Sequence, residues 1–195
     1  MRLFIAVFPP KEYLEYFRNV ARLFNKQKRN LKFVPTDQLH ITLKFLGNSV
    51  SENSYNIIRE SLVENSHSFK PVNIELSDIS FGFPKERFPK ILLSKVKSTE
   101  SLVGLSDEIH NLTQALKLKD TIRRKNRYAN NFHVTLARLK DNAQKSTAKN
   151  IKSMTENINL QKPEPIEIDE FYIVESIINQ KGVSYKKLDR FTLYR

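Results

Sequence analysis

The stretch "HITLKFLG", residues 40–47, is echoed 93 positions later by "HVTLARL", residues 133–139. Histidine is scarce, four in 195 residues, yet two of the four open the same His-x-Thr-Leu word. Side chains on a strand alternate between its two faces. His40 and Thr42 therefore share one face, while Ile41, Leu43 and Phe45 share the other. His133 and Thr135 repeat the pattern, with Val134 and Leu136 behind them. Each strand reads as an apolar face for helices to cover and a polar face left for a cleft.

The surroundings repeat as well. Leu3, Ile5 and Val7 alternate as a strand does, and Pro9-Pro10 end it. Leu14, Phe17, Ala21 and Phe24 then recur at steps of three and four, the mark of an amphipathic helix. After the first motif, Ser49 and Glu52 suggest a capping box for a helix lined by Tyr55, Ile58 and Leu62. Ile74, Leu76, Ile79 and Phe81 form a strand whose alternation slips between Leu76 and Ile79, which predicts a bulge.

The second half runs in the same order. Ile91–Val96 reads as a strand, and Leu102, Leu105, Ile109, Leu112 and Leu116 make a helical stripe. "HVTLARL" follows, then a helix with Ile151, Met154 and Ile158. Ile166, Ile168, Phe171 and Ile173 alternate with the same slip, each 92 residues after its counterpart. This shared register implies two similar lobes, about residues 1–85 and 90–195, related by a pseudo-twofold axis; copies of this size are a duplicated domain and not a solenoid. A last strand, about residues 184–194, is expected to close the second sheet. The predicted fold class is α+β: one bilobal domain over residues 1–195, with two mostly antiparallel sheets flanking a central cleft and helices on the outer faces.

Composition narrows the function classes. The absence of cysteine excludes a disulfide scaffold, a thiolate zinc site and a thiol nucleophile, and fits a reducing compartment. The first apolar run, Leu3–Phe8, is too short for a signal peptide, and no later run is long enough to span a bilayer. A soluble cytoplasmic protein is expected, and a monomer, since an internal pseudo-dimer completes its own cleft. Lys and Arg exceed Asp and Glu by 33 to 21, a net charge of +12 that favours polyanionic partners. There is no His-x-x-x-His pair, no Gly-x-Ser-x-Gly elbow and no Gly-rich phosphate loop. No metal and no cofactor is therefore expected. His67 and His110 lack symmetric partners and read as solvated.

Two histidines facing each other across a cleft have a specific use. Breaking a phosphodiester in water requires one proton to leave the nucleophile and another to reach the leaving oxygen. Histidine titrates near neutral pH and performs either task. Thr42 and Thr135 can donate hydrogen bonds to the non-bridging oxygens as charge builds there.

These residues resemble the 2H phosphoesterase superfamily, whose members carry two His-x-Thr/Ser motifs. Within it the chain is most similar to the RNA 2′,3′-cyclic phosphodiesterase family, historically called 2′-5′ RNA ligase. "RLFIAVFPP" looks like that family's opening strand, "LHITLKFLG" and "HVTLAR" like its signatures, and "YIVESIINQKGVSYKKLDRFTL" like its closing hairpin. The resemblance implies metal-independent opening of a 2′,3′-cyclic phosphate at an RNA 3′ end, leaving a 2′-phosphate. It implies His40 as proton donor to the leaving 3′ oxygen and His133 as the base that activates water. Thr42, Thr135 and Arg138 match phosphate- and substrate-contacting residues. Phe132 stands where the family often has proline, and Phe33 where it often has an upstream tryptophan.

Three points stay open at this level. Strict alternation puts Arg138, five residues after His133, on the face opposite the cleft, so it serves substrate only if the strand bends or ends there. The basic segment "KLKDTIRRKNRY", residues 117–128, offers Arg123, Arg124 and Arg127 to RNA phosphates and Tyr128 as a stacking surface, or is a solvated loop. The same motifs also suit a 2′-5′ oligonucleotide phosphodiesterase or ligase, or an RNA-binding module that has lost catalysis.

Overall fold

The computed structural model describes residues 1–83, 86–122, 131–180 and 182–195. The fold is α+β, built on a curled antiparallel sheet with a small second sheet beside it. Strand β1 (Leu3–Val7) pairs with β3 (Ile41–Gly47), and helix α1 (Lys11–Leu23) and the short strand β2 (Leu31–Phe33) lie between them in sequence. Helix α2 (Glu52–Glu64), β4 (Val72–Ile74) and β5 (Leu76–Phe81) complete the first repeat. The second repeat follows as β6 (Ile91–Val96), α3 (Glu100–Ala115), β7 (His133–Leu139), α4 (Lys145–Glu156), β8 (Ile166–Ile168) and β9 (Glu170–Asn179), with β10 (Gly182–Thr192) added.

The main sheet runs β10-β9-β1-β3-β7-β6-β5, with β2 also on β7, and β4 pairs with β8 in the small sheet. The two expected sheets are thus halves of one sheet, joined at a single pair, Ile41 with Val134. The halves also exchange strands. β9 of the second repeat pairs with β1 of the first, and β5 of the first pairs with β6 of the second. The last strand therefore does not close the second repeat's own sheet. It pairs with β9 and extends the edge beyond β1. Each repeat alone would leave an edge of unpaired backbone groups, and the exchange satisfies it from the other copy.

Two self-paired positions locate the pseudo-twofold axis. Ile41 faces Val134, its equivalent by the 93-residue offset, and Ile74 faces Ile166, its equivalent by 92. Tyr13, fully buried, lies beside that axis and donates its hydroxyl to Ile74 O (2.6 Å), with Glu164 O at 3.0 Å. The slip between Leu76 and Ile79 is a real irregularity in the β5–β6 pairing. The matching slip between Ile168 and Phe171 is instead the step at Asp169 where the chain passes from β8 of the small sheet to β9 of the large one.

One core, with Ile5, Val7, Ile41, Val134, Ile109 and Ile151 among its members, fills the space between helices and sheet. The apolar periodicity predicts all four α-helices found among the described residues. The cap of α2 differs from expectation. Ser51, not Ser49, is the N-cap, its hydroxyl accepting from Ser54 N at 3.2 Å. Asp120 reinforces it, accepting from Ser51 N (2.8 Å) and Ser54 Oγ (2.7 Å), and these bonds hold its carboxyl down at about 2. The start of the basic segment is thereby tied to α2. His110 also differs: it is buried, and Lys44 Nζ lies 2.8 Å from its Nδ1. Position 110 borders the apolar stripe of α3, and the buried lysine supplies the polar partner that solvent would otherwise provide. His67 is exposed, as read.

Candidate active site

The two motifs meet at the junction of the half-sheets. Antiparallel pairing of Ile41 with Val134 sets His40 in register with Thr135, and Thr42 with His133, on the face away from the helices. Ile41 and Val134 are fully buried in the core behind them. The apolar letters of each motif thus aim the polar ones.

Both histidines are held in the same way. His40 Nδ1 lies 2.8 Å from Gln38 O, and His133 Nδ1 lies 2.9 Å from Asn131 O. A carbonyl only accepts, so Nδ1 carries the proton in each ring. Nε2 is then the nitrogen left to take or give a proton. Among the described residues neither Thr42 nor Thr135 spends its hydroxyl on an intramolecular hydrogen bond, so both remain available to a ligand.

Arg138 belongs to this face, and the pairing shows why alternation misplaced it. On β6, Leu92 pairs with Ala137 but Leu93 pairs with Thr135, so Leu136 is an extra residue, a β-bulge. Leu136 and Ala137 both point into the core, and Arg138 returns to the side of His133 and Thr135. Its positive charge presses down the pKa of both histidines. The first motif has the same bulge at Leu43, since Ile5 pairs with Lys44 and Ala6 with Thr42. Lys44 is consequently buried and Phe45 is returned to the cleft side, where it joins Phe4, Phe8, Tyr172 and Tyr185.

The two sides of the cleft differ in character. His40 is enclosed by aromatic rings: Phe4 at 4.8 Å, Tyr185 edge-on at 4.7 Å and Phe8 at 6.0 Å between centroids. Lys187 Nζ sits over Phe8 (3.8 Å) and Tyr172 (4.2 Å). Burial lowers the His40 pKa to about 4, and the nearby His133 and Arg138 add to the effect. His133 is also lowered, by burial first and Arg138 second, but its only ring neighbour among the described residues is Phe83 at 5.0 Å. Lys95 lies opposite it on β6, in register. The His40 side is an aromatic enclosure and the His133 side is cationic.

Sequence reading did not single out Phe4, Phe8, Tyr172, Tyr185, Phe83 or Lys95. A signal existed in "LFIAVF". Phe4 and Ala6, with Phe8 just past the strand, continue the second face of β1, apolar like the first, as suits a strand buried on both sides. Arg123, Arg124, Arg127 and Tyr128 lie outside the described residues. Ile122, just before them, is bonded to β3, its N–H donating to Leu46 O at 2.7 Å. Among the described residues, no three His, Asp or Glu side chains gather as a metal site would require, and no helix is long and apolar enough to cross a membrane.

Residues 7–90, which include the first motif, match the family model for LigT-like phosphoesterases. Over the whole chain the fold matches TT0787 of Thermus thermophilus, with a TM-score of 0.78 at 25% identity over 99% of this chain and 98% of that one. Over residues 7–90 the chain is thus similar to the LigT-like phosphoesterases. Other solved structures share the fold. Escherichia coli LigT in complex with 3′-AMP gives a TM-score of 0.69 at 19% identity, covering 100% of this chain and 98% of that one. Usb1 of Kluyveromyces marxianus gives 0.52 at 14%, covering 98% and 97%. The second His-x-Thr motif lies outside the family match, and the structure places it beside the first.

Proposed function

We propose that this protein is a 2H phosphoesterase that hydrolyses 2′,3′-cyclic phosphates at RNA 3′ ends to 2′-phosphates, without a metal. The observation that carries this reading is the matched pair of rings, His40 and His133. Each is anchored at Nδ1 by the carbonyl two residues before it, and the two flank the Ile41–Val134 junction. In the reaction, His133 Nε2 takes a proton from water as its oxygen attacks phosphorus. The bond from phosphorus to the 3′ oxygen breaks, and that oxygen takes the proton carried on His40 Nε2. The 2′ ester remains, and solvent returns each ring to its starting state. Thr42 and Thr135 donate to the non-bridging oxygens, and Arg138 offsets their charge.

A substrate panel tests the proposal: RNA ending in a 2′,3′-cyclic phosphate, a 2′-5′-linked oligoadenylate and a mononucleoside 2′,3′-cyclic phosphate. The expected result is turnover of the cyclic-phosphate substrates to a 2′-phosphomonoester, undiminished by EDTA. A 3′-phosphate product, or activity lost in EDTA and restored by a divalent cation, contradicts it. Tight binding without turnover identifies an RNA-binding module instead.

A further inference from the structure

A groove of about 1250 Å³ lies between α4 and the β5–β6 edge, larger than the ~300–1,000 Å³ of common ligand pockets. Its floor is apolar, with Ile79, Phe81 and Ala148 among its lining residues, and its α4 wall carries Lys145, Lys149 and Lys152. Steps of four and three put these lysines on one face of the helix. None of the three pairs with a carboxylate among the described residues. Of the three acids at the groove, Asp78 pairs with Lys162 at 3.2 Å, Glu86 accepts from Phe83 N at 2.9 Å, and Glu156 stands at the far end of α4 from Lys145. The N-cap of α4, Gln144, makes no side-chain capping bond and no acid occupies the first turn, so the helix's own positive end adds to the lysines. Phe88, 57% exposed, stands at the groove with Arg87 at 5.3 Å and Lys145 at 5.7 Å from its ring.

The groove is continuous with the candidate active site. Phe83 lines it and touches the His133 ring, and Lys95 lines it and pairs in register with His133. From this continuity and the charge, we infer that the groove carries the single-stranded RNA chain upstream of the reacting phosphate, leaving the cleft on the His133 side. The lysines take successive phosphates, and Phe88 offers a face on which a base stacks. Stacking on an aromatic suits any base, and a lysine row follows a backbone without reading sequence. This inference rests on the RNA-end reading above. It adds that the enzyme prefers an oligonucleotide end to a mononucleotide because of contacts remote from the chemistry.

The test is the double variant Lys149→Glu/Lys152→Glu, assayed on a short RNA with a 2′,3′-cyclic phosphate end and on a mononucleoside 2′,3′-cyclic phosphate. The expected result is a KM for the oligonucleotide raised about tenfold, with a log–log salt dependence shallower by about 1.4 for two lost single-strand contacts. Kinetics on the mononucleotide stay unchanged. Phe88→Ala is expected to raise the oligonucleotide KM without altering the salt slope. Equal kinetics for wild type and double variant on the oligonucleotide overturn the inference, as does a parallel loss on both substrates. If wild type turns over neither substrate, the functional proposal fails separately. The groove is then judged by fluorescence anisotropy with the same RNA ending in a 3′ hydroxyl. Weaker binding by the double variant supports it; unchanged RNA binding, or loss of binding only to an acidic peptide, overturns it.

Discussion

Leu136 turns Arg138 back to the side of His133. Five residues separate the arginine from the histidine, an odd number that alternation alone sends to the opposite face. The extra residue in the β7–β6 pairing reverses that parity. Its equivalent, Leu43, does the same in the first motif, where the returned residue is Phe45.

Arg138 is therefore expected to act on the phosphate. Arg138→Ala should lower kcat/KM for a 2′,3′-cyclic phosphate about 100-fold, or about 2.7 kcal/mol, the scale of a lost charge-stabilising donor. Steady-state kinetics measure this. A loss under twofold would place the guanidinium away from the reacting group.

His40→Ala and His133→Ala should each reduce turnover by about 10³-fold, within the range for general acid–base catalysis. The double variant should be little worse than either single one, because two rings that move protons in one step act as a unit. Fully multiplicative losses would mean independent roles.

The pH profile follows from the histidine environments. The active form needs a protonated His40 and a neutral His133. Burial lowers the His40 pKa to about 4 and lowers that of His133 as well. In the free enzyme both limbs of the bell thus lie below the ordinary histidine value, and kcat/KM should peak between about 4 and 6.5. The limbs belong to the pair and not to single residues. A bound phosphate anion favours the protonated rings, so kcat should peak at higher pH than kcat/KM. Tyr185→Ala opens the His40 enclosure to water and should move the kcat/KM optimum upward. Coincident profiles for kcat and kcat/KM would refute this account.

Lys44 is a structural test. It is 3% exposed, donates to Ile122 O at 3.1 Å and meets His110 at 2.8 Å; burial lowers its pKa. Lys44→Ala should cost about 3 kcal/mol, combining an unfilled volume with unpaired polar groups. Lys44→Met should cost less, since it fills the space. Urea midpoints compare the two. Equal costs would mean that the polar pairing, not the volume, carries the whole effect.

Much of this site is legible in the chain. His40, Thr42, His133 and Thr135 share a face because alternation holds over three residues, and the 93-residue offset states that the two motifs are equivalent. Apolar periodicity locates helices α1 to α4 for the same reason: a helix or strand must bury one face, and burial is local in its spacing. Reading Arg138 by parity failed because a bulge lies in the pairing of two strands and leaves no mark in one strand's own pattern. His110 was misread because its partner, Lys44, lies 66 positions away and is buried only by virtue of the other bulge.

Sequence by itself determined the duplication, the element order and the pair of histidines, since each depends on neighbours a few residues apart or on a repeat that can be counted. Tertiary structure decided how the copies share strands, with β9 completing the first repeat and β5 the second, because edge backbone groups take whichever partner closes the sheet. It also decided the aromatic enclosure of His40, the return of Arg138 and the cationic groove beyond His133. Those features join residues distant in the chain, and only the folded backbone sets which of them meet.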